Sequence, residues 1–312
     1  MSRIHEALKR AEREKGGPRP QDAAAEPAPS AAAAAAPAAA VQPAPAAAAP
    51  AARSFAAAVA AVTPQALPVA PPRVTAPVPA LLESCRSTNW QGDTSKLFFL
   101  SRRHNTFATE QLRMLRTRLC LARERRPLKT VLVTSALPAE GKTFVCANLA
   151  YALARQPGHR VLLLDCDLRS PGLHTLLGAP GEPGLTAYLR GAATAEQILQ
   201  RGTQENLFLI PGGHAAANPS ELLAGGKFKS LVEQLMPLFD WILLDTPAAG
   251  PAADTVRIAG WCDGTLLVVE GGKTKYDTVQ QVTADLPAKR LLGVVLNRTN
   301  PLDAAASIFA TH

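Results

Sequence analysis

The sequence predicts an α/β fold, a domain with a mostly parallel central sheet flanked by helices, and three observations carry that prediction. Six short runs, Thr130 to Ser135, Arg160 to Asp165, Asn206 to Ile210, Asp240 to Asp245, Gly264 to Val269 and Leu291 to Leu296, are nearly all apolar and do not alternate. Continuous apolar runs are the pattern of parallel strands covered on both faces. Helical stretches such as Lys142 to Ala154, Ser220 to Leu235 and Asp277 to Leu286 fall between them, so right-handed β–α–β crossovers are the natural assembly. The third observation is that the first run passes straight into a Gly-Lys-Thr turn that opens a helix.

In chain order, residues 1–16 read as a short amphipathic helix, with Ile4, Leu8 and Ala11 at helical spacing and Arg3, Lys9, Arg10, Arg13 and Lys15 charged. Such a helix docks on a partner or a membrane surface, or stands solvated and frays, since helices this short are marginal in water. Residues 17–95 read as a disordered Ala/Pro-rich linker. From Gly17 to about Pro79 there is little aromatic content beyond Phe55, so the stretch buries too little apolar surface to offset the entropy of ordering, and its prolines interrupt any helix. It acts as a semi-extended tether to the folded domain of residues 96–312.

The recurring prolines also deny the linker the uninterrupted apolar run of about 20 residues that a membrane span needs. Met1 to Lys15 lacks the apolar core and cleavage site of a secretory signal, so the expected location is cytoplasmic. Cys85, Cys120, Cys146, Cys166 and Cys262 form no CxxC pair and no metal-ligand spacing, which fits a reducing compartment. A net charge of +8 favours anionic partners, whether nucleotide, acidic lipid surface or nucleic acid, without choosing among them.

From Phe107 to Leu121, Ala108, Leu112, Leu115 and Leu119 make one helical stripe that leaves Glu110, Arg113 and Arg116 off it. The strand Thr130 to Ser135 then continues into Ala136, Leu137, Pro138, Ala139, Glu140, Gly141, Lys142 and Thr143 before the next helix. Strand, loop and helix in that order are the context of a P-loop, whose successive backbone N–H groups point at a phosphate. The helix N-terminus adds partial positive charge there, Lys142 neutralises the β- and γ-phosphate oxygens, and Thr143 gives its hydroxyl to Mg²⁺. Pro138, Ala139, Glu140, Gly141, Lys142, Thr143 and Phe144 are therefore the expected nucleotide-binding residues. Ala136 replaces the first Gly of the usual pattern, so placement, more than the string, carries the assignment.

A second motif closes the strand Val161 to Leu164 with Asp165, Cys166, Asp167, Leu168 and Arg169. Two carboxylates at a strand's carboxyl end, beside the phosphates, can hold Mg²⁺ or orient a nucleophile. The third motif is Trp241 to Leu244 followed by Asp245, Thr246 and Pro247, a Walker B arrangement in which Asp245 acts on Mg²⁺ directly or through water. A lone Asp after an apolar strand is usually a cap or turn residue, but three such strand ends in order are hard to assign to capping. The candidate catalytic residues are thus Lys142, Asp165, Asp167 and Asp245, and the candidate metal ligands Thr143, Asp167 and Asp245.

With these motifs the chain resembles the bacterial tyrosine kinases of the CpsD/CapB/Wzc type, exopolysaccharide co-polymerase kinases whose P-loop domain is related to MinD and ParA. The resemblance spans roughly Thr106 to Asn297 and rests on SALPAEGKT from Ser135, LLLDCDLR from Leu162, ILLDTP from Ile242, NPSELL from Asn218 and GVVLN from Gly293. It implies ATP and Mg²⁺ as cofactors, adds Arg169 to the nucleotide-binding set, and places Asn297 near the adenine base. Glu110, Arg113 and Arg116 match the family's ExxRxxR element, which implies a homo-oligomeric ring. The resemblance also implies a membrane chain-length-determinant partner, peripheral placement at the inner face of the cell membrane through it, and no nucleic acid. The opening MSRIHEALKRAE is similar to the start of exopolysaccharide-associated autokinases.

Three departures from the family stand out. Ala139 occupies the usual Gly of PGEGK and Ala248 the second Pro of DTPP, and neither removes a nucleotide-binding group. The family's tyrosine-rich tail has no counterpart among Ile308, Phe309, Ala310, Thr311 and His312, so phosphoryl transfer is expected to persist while self-phosphorylation is weak. The expected function is an ATP-dependent protein-tyrosine kinase, or kinase-like ATPase, of polysaccharide export. The alternatives are a MinD/ParA-type switch ATPase, against which Leu137 argues by standing where that class has a second Lys, and a non-catalytic ATP-binding regulator.

Overall fold

The computed structural model describes residues 80–100, 106–250 and 253–299. The expected helix of residues 1–16, the linker up to residue 79 and the chain from residue 300 lie outside the described residues. Helix α1 (Ala80–Glu83) and strand β1 (Arg86–Ser87) are followed by α2 (Thr106–Arg125), β2 (Thr130–Ser135), α3 (Lys142–Ala154) and β3 (Val161–Asp165). Three short helices, α4 (Leu173–Leu177), α5 (Leu185–Leu189) and α6 (Ala195–Ile198), precede β4 (Gln200–Arg201) and β5 (Leu207–Ile210). Then come α7 (Pro219–Ala224), α8 (Gly226–Leu235), β6 (Trp241–Asp245), α9 (Ala253–Ala259), β7 (Gly264–Glu270), α10 (Tyr276–Asp285) and β8 (Leu291–Asn297).

The eight strands form one sheet in the order β1-β4-β5-β3-β6-β2-β7-β8, parallel throughout except for the antiparallel β4–β5 pair. The apolar runs are covered on both faces, as their lack of alternation predicts, and every residue of β2, β3, β5 and β6 is buried. Alternate residues feed two separate cores. Leu132, Leu162, Leu164, Ile242 and Leu244 pack with Phe228, Leu231 and Val282 on one face. Val131, Val133, Leu163 and Leu243 pack with Leu115, Leu119, Leu149 and Leu153 on the other. Each such Leu or Val contributes about 1.5–3 kcal/mol by leaving water.

Two expectations need correction. Residues 80–95, read as the end of the linker, belong to the folded body: Leu82, Cys85 and Trp90 are buried, and β1 pairs in parallel with β4. The segment is short and lacks periodicity, so its place is fixed by tertiary contacts that no local pattern announces. The helix expected from Ser220 to Leu235 is two helices, because Gly225 adopts an extended conformation (φ −66°, ψ 146°) between α7 and α8.

Candidate active site

Parallel pairing brings the carboxyl ends of β2, β3 and β6 to one edge of the sheet, where Asp165 lies opposite Asp245 in register. The loop after β2 wraps onto the start of α3, with Gly141 at φ 93° as its N-cap. Ala139, the residue standing where the family has Gly, is left-handed as well at φ 66°. A non-glycine residue in that region costs roughly 1–2 kcal/mol, which is why Gly is usual there.

Four of the expected residues form one continuous network. Lys142 Nζ donates to Asp167 Oδ2 at 2.8 Å and lies 3.4 Å from Thr143 Oγ1, and Thr143 Oγ1 donates to Asp245 Oδ2 at 2.7 Å. Asp165 sits behind them, held by backbone amides: Oδ1 accepts from Asp167 N–H at 3.2 Å, and Oδ2 accepts from Gly172 and Leu173 N–H at 3.0 and 3.1 Å. Asp165 and Asp245 are wholly buried, Asp167 nearly so. Burial, with the Asp245 charge second, pushes the Asp165 carboxyl above its ordinary range. Asp245 is pushed up by burial against the opposing pull of Lys142 and the Thr143 hydroxyl. Burial pulls Lys142 down, but the Asp245, Asp167 and Asp165 carboxylates together outweigh it, and the ammonium is held above its ordinary value.

Cys166, between the two carboxylates of its strand end, is fully buried, as is Cys146 in α3.

The loop itself is tied down from beneath by Glu140. The P-loop expectation for this residue concerns its backbone N–H, while its buried carboxylate accepts from Leu137 N–H at 2.7 Å, from Glu270 N–H at 3.1 Å and from the Thr274 hydroxyl. Asn297 Nδ2 donates to the Glu140 carbonyl at 2.8 Å, so the end of β8 rests on the same loop. Arg169 Nη2 lies 3.4 Å from both Asp254 Oδ2 and Ser220 Oγ, tying the strand-end motif to the NPSELL segment. Pro138 and Ala139 are exposed at the tip of the loop, and Phe144 is half-buried behind it.

The donor set fits a divalent cation in part. Asp245 Oδ1 is buried with no hydrogen-bond partner, the condition of an oxygen awaiting a cation or water. Among the described residues no three His, Cys, Asp or Glu side chains form a metal cage, so a cation here would take Thr143, a carboxylate, water and the oxygens of a bound phosphate, as Mg²⁺ commonly does.

Glu110, Arg113 and Arg116 lie on α2, away from this network. Arg113 pairs with Glu110 on the exposed surface, whereas Arg116 Nη1 donates to the Ala152 carbonyl at the end of α3, at 3.2 Å.

Residues 132–309 match the CobQ/CobB/MinD/ParA nucleotide binding domain family. The tyrosine-protein kinase YwqD of Bacillus subtilis is 35% identical over 191 residues, 61% of this chain and 80% of that protein. The tyrosine-protein kinase CpsD of Streptococcus pneumoniae is 37% identical over 174 residues, 55% of this chain and 76% of that one. The chain belongs to the bacterial tyrosine kinases. Among solved structures, the VpsO kinase domain superposes with a TM-score of 0.57 at 34% identity, covering 62% of this chain and 97% of that one. As a bacterial tyrosine kinase the chain has a nucleotide-binding P-loop domain, and Leu137 on that loop is apolar and exposed, with no cation to offer at the position of the second Lys of MinD-type proteins.

The network residues were all legible as motif letters. Glu140's inward direction, the bond of Arg116 to α3 and the part played by Asn148 were not. The one available signal for Asn148 was a lone amide in the otherwise apolar stretch from Val145 to Ala154, every residue of which is buried.

Proposed function

We propose that the chain transfers the γ-phosphate of MgATP to a tyrosine hydroxyl, as a kinase of polysaccharide synthesis and export. The observation that carries this reading is the unbroken chain Asp167–Lys142–Thr143–Asp245 at the carboxyl edge of a parallel sheet. A triphosphate on the loop competes with Asp167 for Lys142, and the ammonium that leaves Asp167 neutralises β- and γ-oxygens. Thr143 and Asp245 would hold Mg²⁺, which would supply positive charge for the transferring phosphoryl group. The freed Asp167 accepts the proton of the tyrosine hydroxyl as its oxygen bonds to the γ-phosphorus and the bond to ADP breaks. Asp165, fixed by three amides, keeps Asp167 and Asp245 at their stations. Asn297, already on the loop, borders the adenine.

Tyr151 is buried within α3, and burial pushes its phenol up to about 12, so it is no acceptor. With Tyr151 out of reach, the phosphate goes to another protein or to water. Glu110 and Arg113, exposed on α2, support self-association into a ring, and the tether leads to a membrane chain-length-determinant protein at the cytoplasmic face. Among the described residues no helix is long and apolar enough to cross a membrane.

The test is phosphotyrosine formation on a Glu/Tyr copolymer by purified protein with MgATP. Wild type is expected to label it, and Asp167→Asn to lose labelling while still binding nucleotide. ATP turnover without phosphotyrosine on any acceptor would overturn the kinase reading.

A further inference from the structure

Residues 91–99 run as a strap over the face of the domain that carries α3 and α4, with turns of their own at Asp93 to Leu97 and further backbone groups bonded to residues of those two helices or just past them. At one end, Gln91 N–H donates to the Gly178 carbonyl and Asp93 N–H to the Leu176 carbonyl, both at 3.2 Å. The approach is close enough that a Cβ on Gly178 would lie 2.1 Å from the Gln91 carbonyl oxygen. At the other end the strap is bound by one side chain of α3. Asn148 Oδ1 accepts from Phe98 N–H at 2.9 Å, and its Nδ2 donates to the Lys96 carbonyl at 3.0 Å and to the Phe144 carbonyl at 3.0 Å. Arg155 Nη2, just past α3, takes the Phe99 carbonyl at 2.6 Å, and the Phe98 ring stands edge-on to Phe144 at 5.2 Å.

Asn148 is wholly buried. An amide in that position costs free energy unless it is bonded, and an apolar residue would fill the space without that cost. What the amide does is bind the backbone of the strap as a neighbouring strand would. The two helices joined in this way carry the two halves of the site. α3 begins with Lys142 and Thr143, and the amides at the start of α4 hold Asp165.

We propose that the strap and Asn148 form a brace that sets the P-loop helix α3 against the Asp165-capping helix α4, and that Asn148 is a positioning residue for phosphoryl transfer. This rests on the kinase reading of the site. Phosphate binding uses groups local to the loop, whereas in-line transfer needs the loop and the carboxylates in register, and misplacement of about 1 Å costs on the order of a hundredfold in rate. Loosening the brace therefore lowers kcat and largely spares KM for ATP.

The experiment compares full-length wild type, Asn148→Ala and Phe98→Ala, the latter removing only a half-buried ring from the strap, with Val279→Ala in α10 as a control of lowered stability outside the brace. Wild type first establishes MgATP turnover. For both brace variants the expected result is a fall in kcat of about tenfold or more with KM for ATP within about threefold, while Val279→Ala lowers Tm and keeps kcat. Hydrogen exchange on the nucleotide-free proteins should show lost protection in residues 136–144 and 165–173 of the brace variants alone. Brace variants with wild-type kcat and unchanged exchange would overturn the proposal. If wild type turns over no ATP, the kinase reading fails, and the exchange comparison still decides the brace. If Asn148→Ala does not fold, Phe98→Ala carries the test.

Discussion

The two halves of the site are built in opposite ways. The carboxylates of Asp165 and Asp245 end fully buried strands, and Asp165 is clamped by backbone amides that any sequence folding this way would supply. The P-loop lies at the surface and is held by individual side chains, its own Glu140 reaching the end of β7 and Thr274 beyond it, and Asn297 coming from the end of β8. The difference teaches where sensitivity resides. The carboxylate half is fixed by the sheet itself, while the phosphate half depends on a few side chains whose loss the backbone cannot make good.

The sharpest probe of that contrast is Lys142→Ala, which removes the one cation shared by both halves. A nucleotide at a hundredfold excess over Kd stabilises wild type by about 2.7 kcal/mol. The variant is expected to show no nucleotide-dependent rise in Tm, and thermal shifts equal to wild type would sink the assignment. Next comes Glu140→Ala, which strands two amides and a buried hydroxyl and is expected to cost about 2–4 kcal/mol in urea unfolding. Should it cost under about 0.5 kcal/mol, the phosphate half is not held in the manner described.

On α2 a smaller effect is expected. Arg116→Ala gives up a charge-assisted bond to the Ala152 carbonyl and should destabilise by about 1 kcal/mol, whereas Glu110→Ala with Arg113→Ala, at an exposed pair, should stay within about 0.5 kcal/mol and instead weaken salt-sensitive self-association. Sedimentation that is identical for wild type and this double variant at low salt would count against the ring. The smallest change is Ala139→Gly. Relief of the left-handed alanine, offset by the greater freedom of glycine when unfolded, should raise stability by about 0.5–1 kcal/mol and Tm by about 2 °C. A lower Tm would show that the loop does not carry the strain its φ implies.

The fold was legible because strand burial on both faces leaves a mark in every residue, and the ends of β2, β3 and β6 could be read to within a residue of where they lie. The grouping of Lys142, Thr143, Asp167 and Asp245 was legible because their motif letters stand at a helix start and at two strand ends that parallel pairing brings to one edge. The strap of residues 91–99 was not, since it has no helix or strand and no periodicity, only short turns, and its place is set by what it touches. The inward turn of the Glu140 side chain was not legible either, because the loop letters say nothing of which way a side chain points. Its partners Glu270 and Thr274 are 130 and 134 residues away along the chain. Arg116 looked like its neighbour Arg113 until the end of α3 was seen to lie within its reach.

The thiol of Cys166, set between the two carboxylates of its strand end, has one further consequence. Burial, helped by the Asp165 charge, holds it well above the ordinary thiol range, and burial with the Asp245 and Asp165 charges does the same to Cys146. Attack by oxidants and electrophiles proceeds through the thiolate, which neither residue presents. Although sulfur lies between the carboxylates of the candidate site, peroxide and alkylating agents should leave Cys166 and Cys146 unmodified in the folded protein.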